Sequence, residues 1–174
     1  MGTAVVALLA FATVLGAAFS ALEGLGTITS SSADALKSSW GEAERTVDSA
    51  IDPIDSSVSV ADVSIVLKNS GRLKYSQEEL ADWEVIVRYQ DTLGDDYVEY
   101  ISYADVIATG SWTVSAIYLD ESTSTTEIYE PGIFNPSEEM EITARLAQAP
   151  GAGTINSVTI TPPEGGGGSI HFDG

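Results

Sequence analysis

The chain opens with an apolar stretch in which residues 1–22 carry no charged side chain. A helix that is apolar all round must be covered on every side, by lipid or by other protein. Twenty-two helical residues extend about 33 Å, close to the thickness of a bilayer's hydrocarbon core. Four uses are therefore open: a secretory signal, a membrane anchor, a buried core helix, or the shaft of a polymer.

Two features of this stretch help to decide among the four uses. The first basic residue is Lys37, so the basic start of a secretory signal is missing. Small residues also recur at three- and four-residue spacing, interrupted once at Val14, and such a stripe lets apolar helices approach one another closely. These small residues are Thr3, Ala7, Ala10, Ala17, Ala21 and Gly24. The pattern favours a shaft of packed helices, with a simple membrane anchor as the alternative.

An amphipathic pattern continues the helix beyond the uncharged stretch. Apolar residues again recur at every third or fourth position, except that Ser32 occupies one slot, and polar residues lie between them. Pro53, in "IDPID", is expected to end the helix. The sequence thus predicts an N-terminal helical domain over residues 1–53. The apolar stripe of its second half consists of Leu25, Ile28, Leu36, Trp40, Ala43, Val47 and Ile51.

From Val58 onward the apolar positions alternate with polar ones, which is typical of β-strands. Turn-rich breaks separate the alternating segments, and "EGGGGS" is interpreted as a native glycine turn before the last strand. The predicted fold class is α+β, a long N-terminal hydrophobic α-helix followed by an antiparallel Ig-like β-sandwich over residues 54–174. The predicted strands are "VSVADVSIVLKN", "WEVIVRYQ", "YVEYISYADVI", "WTVSAIYL", "TTEIYE", "EMEITARLA", "INSVTIT" and "SIHFDG", and "SQEELADW" adds one helical turn.

Charge and composition exclude several classes of function. Seven Lys and Arg stand against 26 Asp and Glu, a net charge of −19, so a phosphate backbone would be repelled and no nucleic-acid partner is expected. The chain contains no cysteine, which excludes thiol catalysis and thiolate metal sites.

Few residues offer catalytic or metal-binding chemistry. His171 is the only histidine and no G-x-S-x-G motif accompanies it, so a role in nucleophilic catalysis is not expected. Asp91, Asp95 and Asp96 in "QDTLGDDY" do not match an EF-hand loop and are interpreted as a solvated acidic turn rather than a Ca²⁺ site. The sequence predicts no enzyme and no cofactor.

The start "MGTAVVALLAFATVLGAAFSAL" resembles the mature N-terminus of the archaellins, the filament subunits of the archaeal motility organelle. "VSIVLKNSG" resembles the family's first long strand and its turn, and "FNPSEEMEITARL" resembles a later strand. Val5 occupies a position where many type IV pilins carry a glutamate, which favours archaellins over that branch.

The resemblance implies a homopolymer that forms an extracellular, cell-surface filament for swimming. It also implies a membrane-resident state before assembly, a prepilin-type peptidase, and an archaellum motor and platform as partners. The alternatives are a membrane-anchored accessory or stator-like protein of the same system and an adhesive type IV-like pilin. The predicted assembly interface comprises Met1, Gly2, Thr3, Val6, Ala7, Leu9, Ala10, Phe11, Val14, Ala17, Phe19, Ala21, Leu25, Ile28, Leu36 and Trp40.

Overall fold

The computed structural model describes residues 36–174. A helix over residues 36–48 (α1) precedes a compact unit of strands, with one further helical turn, Gln77–Leu80 (α2), and one 3-10 turn, Glu121–Thr123 (η1). The strands are β1 Ile51–Ser59, β2 Asp62–Asn69, β3 Tyr75–Ser76, β4 Glu84–Gln90, β5 Asp96–Tyr103, β6 Ser111–Asp120, β7 Thr125–Thr126, β8 Ile133–Phe134, β9 Glu139–Arg145, β10 Ile155–Thr161 and β11 Gly168–Asp173.

Nine of these strands form one sheet, in the order β1-β2-β9-β6-β5-β4-β10-β11 with β7 added beside β6. Its pairs are antiparallel except for β5–β6, which is parallel over two residue pairs. The strand at one end, β1, lies against the strand at the other end, β11, where the Ser56 hydroxyl donates to the His171 carbonyl over 3.3 Å. The sheet is therefore nearly closed and barrel-like, and β3 and β8 form a separate pair.

This architecture corrects the predicted fold class. The described part of the chain is mainly β, it contains a parallel strand pair, and its sheet curls back on itself, so the prediction of a long helix followed by an antiparallel Ig-like sandwich is wrong. The predicted helix over residues 1–35 lies outside the described residues. No helix within residues 36–174 is long and apolar enough to cross a membrane.

The prediction that Ile51 ends the apolar face of the helix is wrong. Ile51 is the first residue of β1 and is fully buried. Pro53, expected only to stop a helix, lies within that strand. Proline cannot donate to a strand ladder and is tolerated at irregular positions, and the β1–β2 register shifts between Pro53 and Asp55. Burying Ile51 in the sheet contributes about 1.5–3 kcal/mol of transfer free energy, which the exposed face of a helix would not provide.

Alternating burial explains the strands that sequence did predict. In β4, Val85, Val87 and Tyr89 are buried while the residues between them face outward. The same alternation confirms strands in "EMEITARLA", "INSVTIT" and "SIHFDG". The inward apolar side chains of all these strands belong to one hydrophobic core.

Two predicted strands differ in the structure. "VSVADVSIVLKN" is not one strand with a bulge but the end of the first arm, the turn and the second arm of a hairpin, because Ser59 pairs with Asp62 across a two-residue loop. "TTEIYE" forms a strand only at Thr125–Thr126, and the residues after it form a loop. The predicted turn of helix is confirmed as α2, where Ser76 and Glu79 form a capping box.

Candidate assembly surface

The described part of α1 leaves its apolar side chains exposed. Leu36, Trp40 and Val47 are 61%, 75% and 64% exposed, and Ala43 is exposed between them. Their spacing of four, three and four residues places them on one helix face. We call Leu36, Trp40, Ala43 and Val47 the helix stripe. An amphipathic helix normally buries such a face against another element, and within residues 36–174 nothing covers the helix stripe.

The end of α1 is held by the turn that follows β2. The Asp48 carbonyl accepts hydrogen bonds from the backbone N–H groups of Arg72 (2.7 Å) and Leu73 (3.0 Å). The Ala50 carbonyl accepts from Ser70 (3.1 Å) and Gly71 (2.9 Å). The last carbonyls of a helix have no partner within the helix, and here a loop distant in sequence supplies one.

A second loop, the glycine turn before β11, holds the same helix end. Ser49 is fully buried, and its hydroxyl lies 2.8 Å from the Gly165 carbonyl and 2.9 Å from the Arg45 carbonyl. The Ile51 N–H donates to the Gly166 carbonyl over 2.8 Å. A side chain on Gly166 would overlap the Thr46 carbonyl oxygen. The predicted glycine turn before the last strand is therefore confirmed. These two loops and residues 48–51 are called the helix seat.

The helix seat is held together mainly by hydrogen bonds to the backbone rather than by ion pairs. The Tyr75 hydroxyl donates to the Ser49 carbonyl over 3.4 Å, and burial, aided by nearby Glu164, raises the pKa of Tyr75 to about 12. The phenol is therefore neutral near pH 7. Arg72 and Asp48 form an ion pair of 3.3 Å, but the Arg72 side chain is 79% exposed, and exposed pairs contribute little.

His171 and Asp91, which were considered for catalysis and metal binding, have structural partners. His171 Nδ1 lies 3.2 Å from the Asn156 carbonyl, and a carbonyl can only accept, so this nitrogen donates. Asp91 Oδ1 accepts from the backbone N–H groups of Asp95 (2.9 Å) and Leu93 (2.8 Å). The bond from Asp95, the largest contribution, helps to hold the pKa of the Asp91 carboxyl below its usual value. Residues 36–174 contain no cluster of three or more side chains fit to hold a metal.

A cavity of about 340 Å³ lies beside the helix seat, and two of its charged lining groups, Lys74 and Glu79, have partners within the fold. Lys74 pairs with Glu130 at 2.7 Å, and Glu79 accepts from the Ser76 backbone N–H at 2.7 Å and the Ser76 hydroxyl at 2.8 Å. The rest of the lining includes Leu73 and Tyr75. Its lining residues do not pair a nucleophile with a base.

Of the predicted interface residues, Leu36 and Trp40 are exposed on the helix stripe. The other predicted interface residues lie outside the described part of the chain: Met1, Gly2, Thr3, Val6, Ala7, Leu9, Ala10, Phe11, Val14, Ala17, Phe19, Ala21, Leu25 and Ile28. Sequence reasoning missed the helix seat. Its signals were the two glycine-containing turns, "NSG" and "EGGGGS", whose contact with the helix end depends on the tertiary fold.

The chain matches no protein-family model and no curated protein sequence. It is similar to the archaellum periplasmic stator complex of FlaF and FlaG from Sulfolobus acidocaldarius, with 16% identity over 70% of this chain and 87% of that chain and a TM-score of 0.49. It is also similar to FlaG alone from the same organism, with 17% identity over 70% of this chain and 97% of that chain and a TM-score of 0.49.

A third similar structure is the archaeal flagellum of Methanospirillum hungatei strain JF1, with 14% identity over 98% of this chain and 90% of that chain and a TM-score of 0.48. The three structures are archaellum components, two from the periplasmic stator and one from the filament. At TM-scores below 0.5 these similarities assign neither a family nor a function to the chain.

Proposed function

We propose that this protein is a structural subunit that polymerises through its N-terminal helix into an extracellular, archaellum-type filament for swimming motility. The observation that carries the proposal is the helix stripe, because its large apolar side chains are exposed in the isolated chain. The uncharged residues 1–22 would also need apolar surroundings. Identical neighbours would satisfy both.

The physical basis of assembly is the burial of apolar surface, about 25 cal/mol per Å² before association costs are subtracted. A contact between two different surfaces of identical subunits repeats as an open helix when its rotation does not close. Before assembly, residues 1–22 would reside in the membrane, whose hydrocarbon thickness they match. The resemblance to archaellins adds a prepilin-type peptidase and an archaellum motor and platform. The proposed role is not enzymatic and uses no cofactor.

The helix seat fits this role because it holds the end of α1 on the strands within residues 44–174. Four backbone hydrogen bonds from the turn after β2 reach the Asp48 and Ala50 carbonyls, and a fifth joins Ile51 to Gly166. The buried hydroxyl of Ser49 ties the helix end to the glycine turn as well. These bonds hold residues 48–51 against the two loops.

The proposal is tested by placing one negative charge on each of two faces of α1. Trp40→Asp puts a carboxylate on the helix stripe, whereas Ser38→Asp, two residues and about 160° around the helix, puts one on the opposite face. We expect Trp40→Asp to abolish filaments and Ser38→Asp to retain them. Negative-stain microscopy of sheared cell-surface material is the readout, with circular dichroism to show that both variants fold.

Normal filaments from Trp40→Asp would contradict assembly through the helix stripe. Ala10→Asp and Ala17→Asp test the same idea within the uncharged stretch and are expected to abolish filaments too. Wild-type chains found only as membrane-bound monomers would instead favour a membrane-anchored accessory protein. A deletion strain that lacks filaments but still swims would contradict the motility role and favour an adhesive pilin.

A further inference from the structure

A second apolar surface lies on the outward face of β4 and β5. Val98 and Tyr100 are 69% and 63% exposed, and Ile86 is 38% exposed. The strand register places Ile86 opposite Tyr100 and Arg88 opposite Val98, so the four side chains are neighbours on one face. We call Ile86, Arg88, Val98 and Tyr100 the sheet patch.

Arg88 is the cation of this patch, and it makes no ion pair with any described residue. Its cross-strand neighbours are Val98 on β5 and Ser157 on β10, neither of which is charged. By contrast, Lys68, Arg72, Lys74 and Arg145 each pair with a carboxylate. An unpaired cation on a chain of net charge −19 is complementary to an acidic partner, and a second copy of this chain is acidic.

A loop on the same chain presents a matching apolar projection. Ile128 and Tyr129 are 71% and 81% exposed, and they are the one pair of consecutive large apolar residues exposed in the described part of the chain. We call Ile128 and Tyr129 the loop knob. Aromatic side chains of this kind are often the centres of binding interfaces.

The loop knob is rigidly supported by a buried carboxylate. Glu127 is 6% exposed, and its Oε1 accepts hydrogen bonds from the backbone N–H groups of Tyr129 and Glu130, the latter over 2.7 Å. Its own N–H donates to the Ile117 carbonyl of β6 over 3.1 Å. A loop held in one conformation loses less entropy when it binds.

The segment around the loop knob is acidic, although Glu130 is paired with Lys74 and Glu127 is buried. Residues 119–132, "LDESTSTTEIYEPG", contain four carboxylates and no Lys or Arg. Asp120 and Glu121 precede the knob, and Glu127 and Glu130 flank it. The sheet patch offers apolar surface and a free guanidinium, while the knob offers apolar surface in an acidic segment.

We propose that the loop knob of one copy docks on the sheet patch of the next copy, with Arg88 facing the acidic segment around the knob. The two surfaces differ, so the contact is heterologous and each copy can make it twice, once with each surface. This inference rests on the proposed function, since polymerisation brings the copies together, and it names the contact between their outer domains.

The test uses the absence of cysteine from the chain. Full-length chains carrying Val98→Cys and Tyr129→Cys together are treated with a short bis-maleimide linker while still in cell-surface material. Because each copy then carries both halves of the contact, we expect a ladder of covalent oligomers after denaturing electrophoresis. A mixture of the two single variants should stop at dimers, and either variant alone should remain monomeric.

Val106→Cys with Tyr129→Cys is the matched control, since Val106 is 80% exposed but lies in the loop after β5 rather than on the sheet patch. A second pair, Tyr100→Cys with Ile128→Cys, guards against poor geometry at one position. If neither patch pair links better than the control while filaments are present, the docking contact is wrong and the filament proposal stands. If the material holds only monomers and nothing links, both proposals fail.

Discussion

At Gly71 the space that a side chain would fill is occupied by the Asp48 carbonyl oxygen and the Ala50 amide nitrogen. The close approach is what allows Gly71 to donate its own N–H to the Ala50 carbonyl. The helix end can be held by this turn only because residue 71 has no Cβ atom. Gly41, in the exposed part of α1, has open space where a side chain would lie.

We expect opposite effects from the same substitution at these two glycines. Gly71→Ala should lower the free energy of unfolding by about 1–3 kcal/mol, because overpacking forces the helix seat apart. Gly41→Ala should not lower it and should raise helix stability by up to about 1 kcal/mol. Urea denaturation followed by tryptophan fluorescence and far-UV circular dichroism measures both. Equal effects at the two positions would contradict the seat geometry.

The β1–β2 hairpin shows how an element can form against a local preference. Val60 and Ala61 make its two-residue loop, and Val60 has φ = +60°. Two-residue hairpin loops require such backbone angles and usually place glycine there, whereas a β-branched residue is strained by about 1–2 kcal/mol. Val60 is 81% exposed, so burial does not offset this strain.

Relief of this strain is a prediction for the hairpin as an element. Val60→Gly should raise the free energy of unfolding by about 0.5–1 kcal/mol, the strain removed less the backbone entropy that glycine adds. Ala61→Gly, at the neighbouring loop position without positive φ, should lower it by a similar amount. Thermal denaturation of the two variants provides the comparison, and destabilisation by Val60→Gly would show that the valine side chain has a partner.

Across the whole molecule, two electrostatic effects act in opposite directions. The net charge of −19 produces repulsion that salt screens and that protonation of carboxylates reduces. Individual carboxylates nevertheless stabilise the fold. The Arg145 side chain, bonded to Asp62 at 2.7 and 2.8 Å, lowers the Asp62 pKa, and the Ser76 N–H lowers the pKa of Glu79.

The sign of the pH dependence follows from these lowered pKa values. A carboxyl whose pKa is lower in the folded state stabilises the fold above its unfolded pKa, near 4, and loses that contribution as pH falls through the folded value. We therefore expect the melting temperature at pH 7 to rise with added NaCl and to fall below about pH 4. A melting temperature that kept rising below that pH would mean that repulsion outweighs the carboxylate bonds.

Asp62→Asn is the matched variant for this experiment. It removes one carboxyl with a lowered pKa, so the variant should lose some stability near pH 7 and show a smaller decrease in acid. The Asp62 and Arg145 side chains are 34% and 39% exposed, and the effect at pH 7 should accordingly be small.

The sequence by itself determined where many strands lie, because burial of every second residue leaves a local trace in "EMEITARLA" and "INSVTIT". It also predicted Leu36 and Trp40 on one helix face, since helical spacing is local as well. It did not distinguish Ile51 as the last residue of a helical stripe from Ile51 as the buried first residue of β1, because one apolar residue fits both periods.

Only the tertiary structure decided which strands pair, because pairing joins residues distant in the chain, such as Val63 with Ala144. The parallel β5–β6 pair, the near closure of β1 on β11 and the helix seat all arise from such contacts. The sheet patch has the same origin: Arg88 and Val98 become neighbours through strand register. The alternation of apolar and polar residues shows which face of the sheet a side chain lies on. Only the hydrogen-bonded register shows which residue of the next strand is its neighbour.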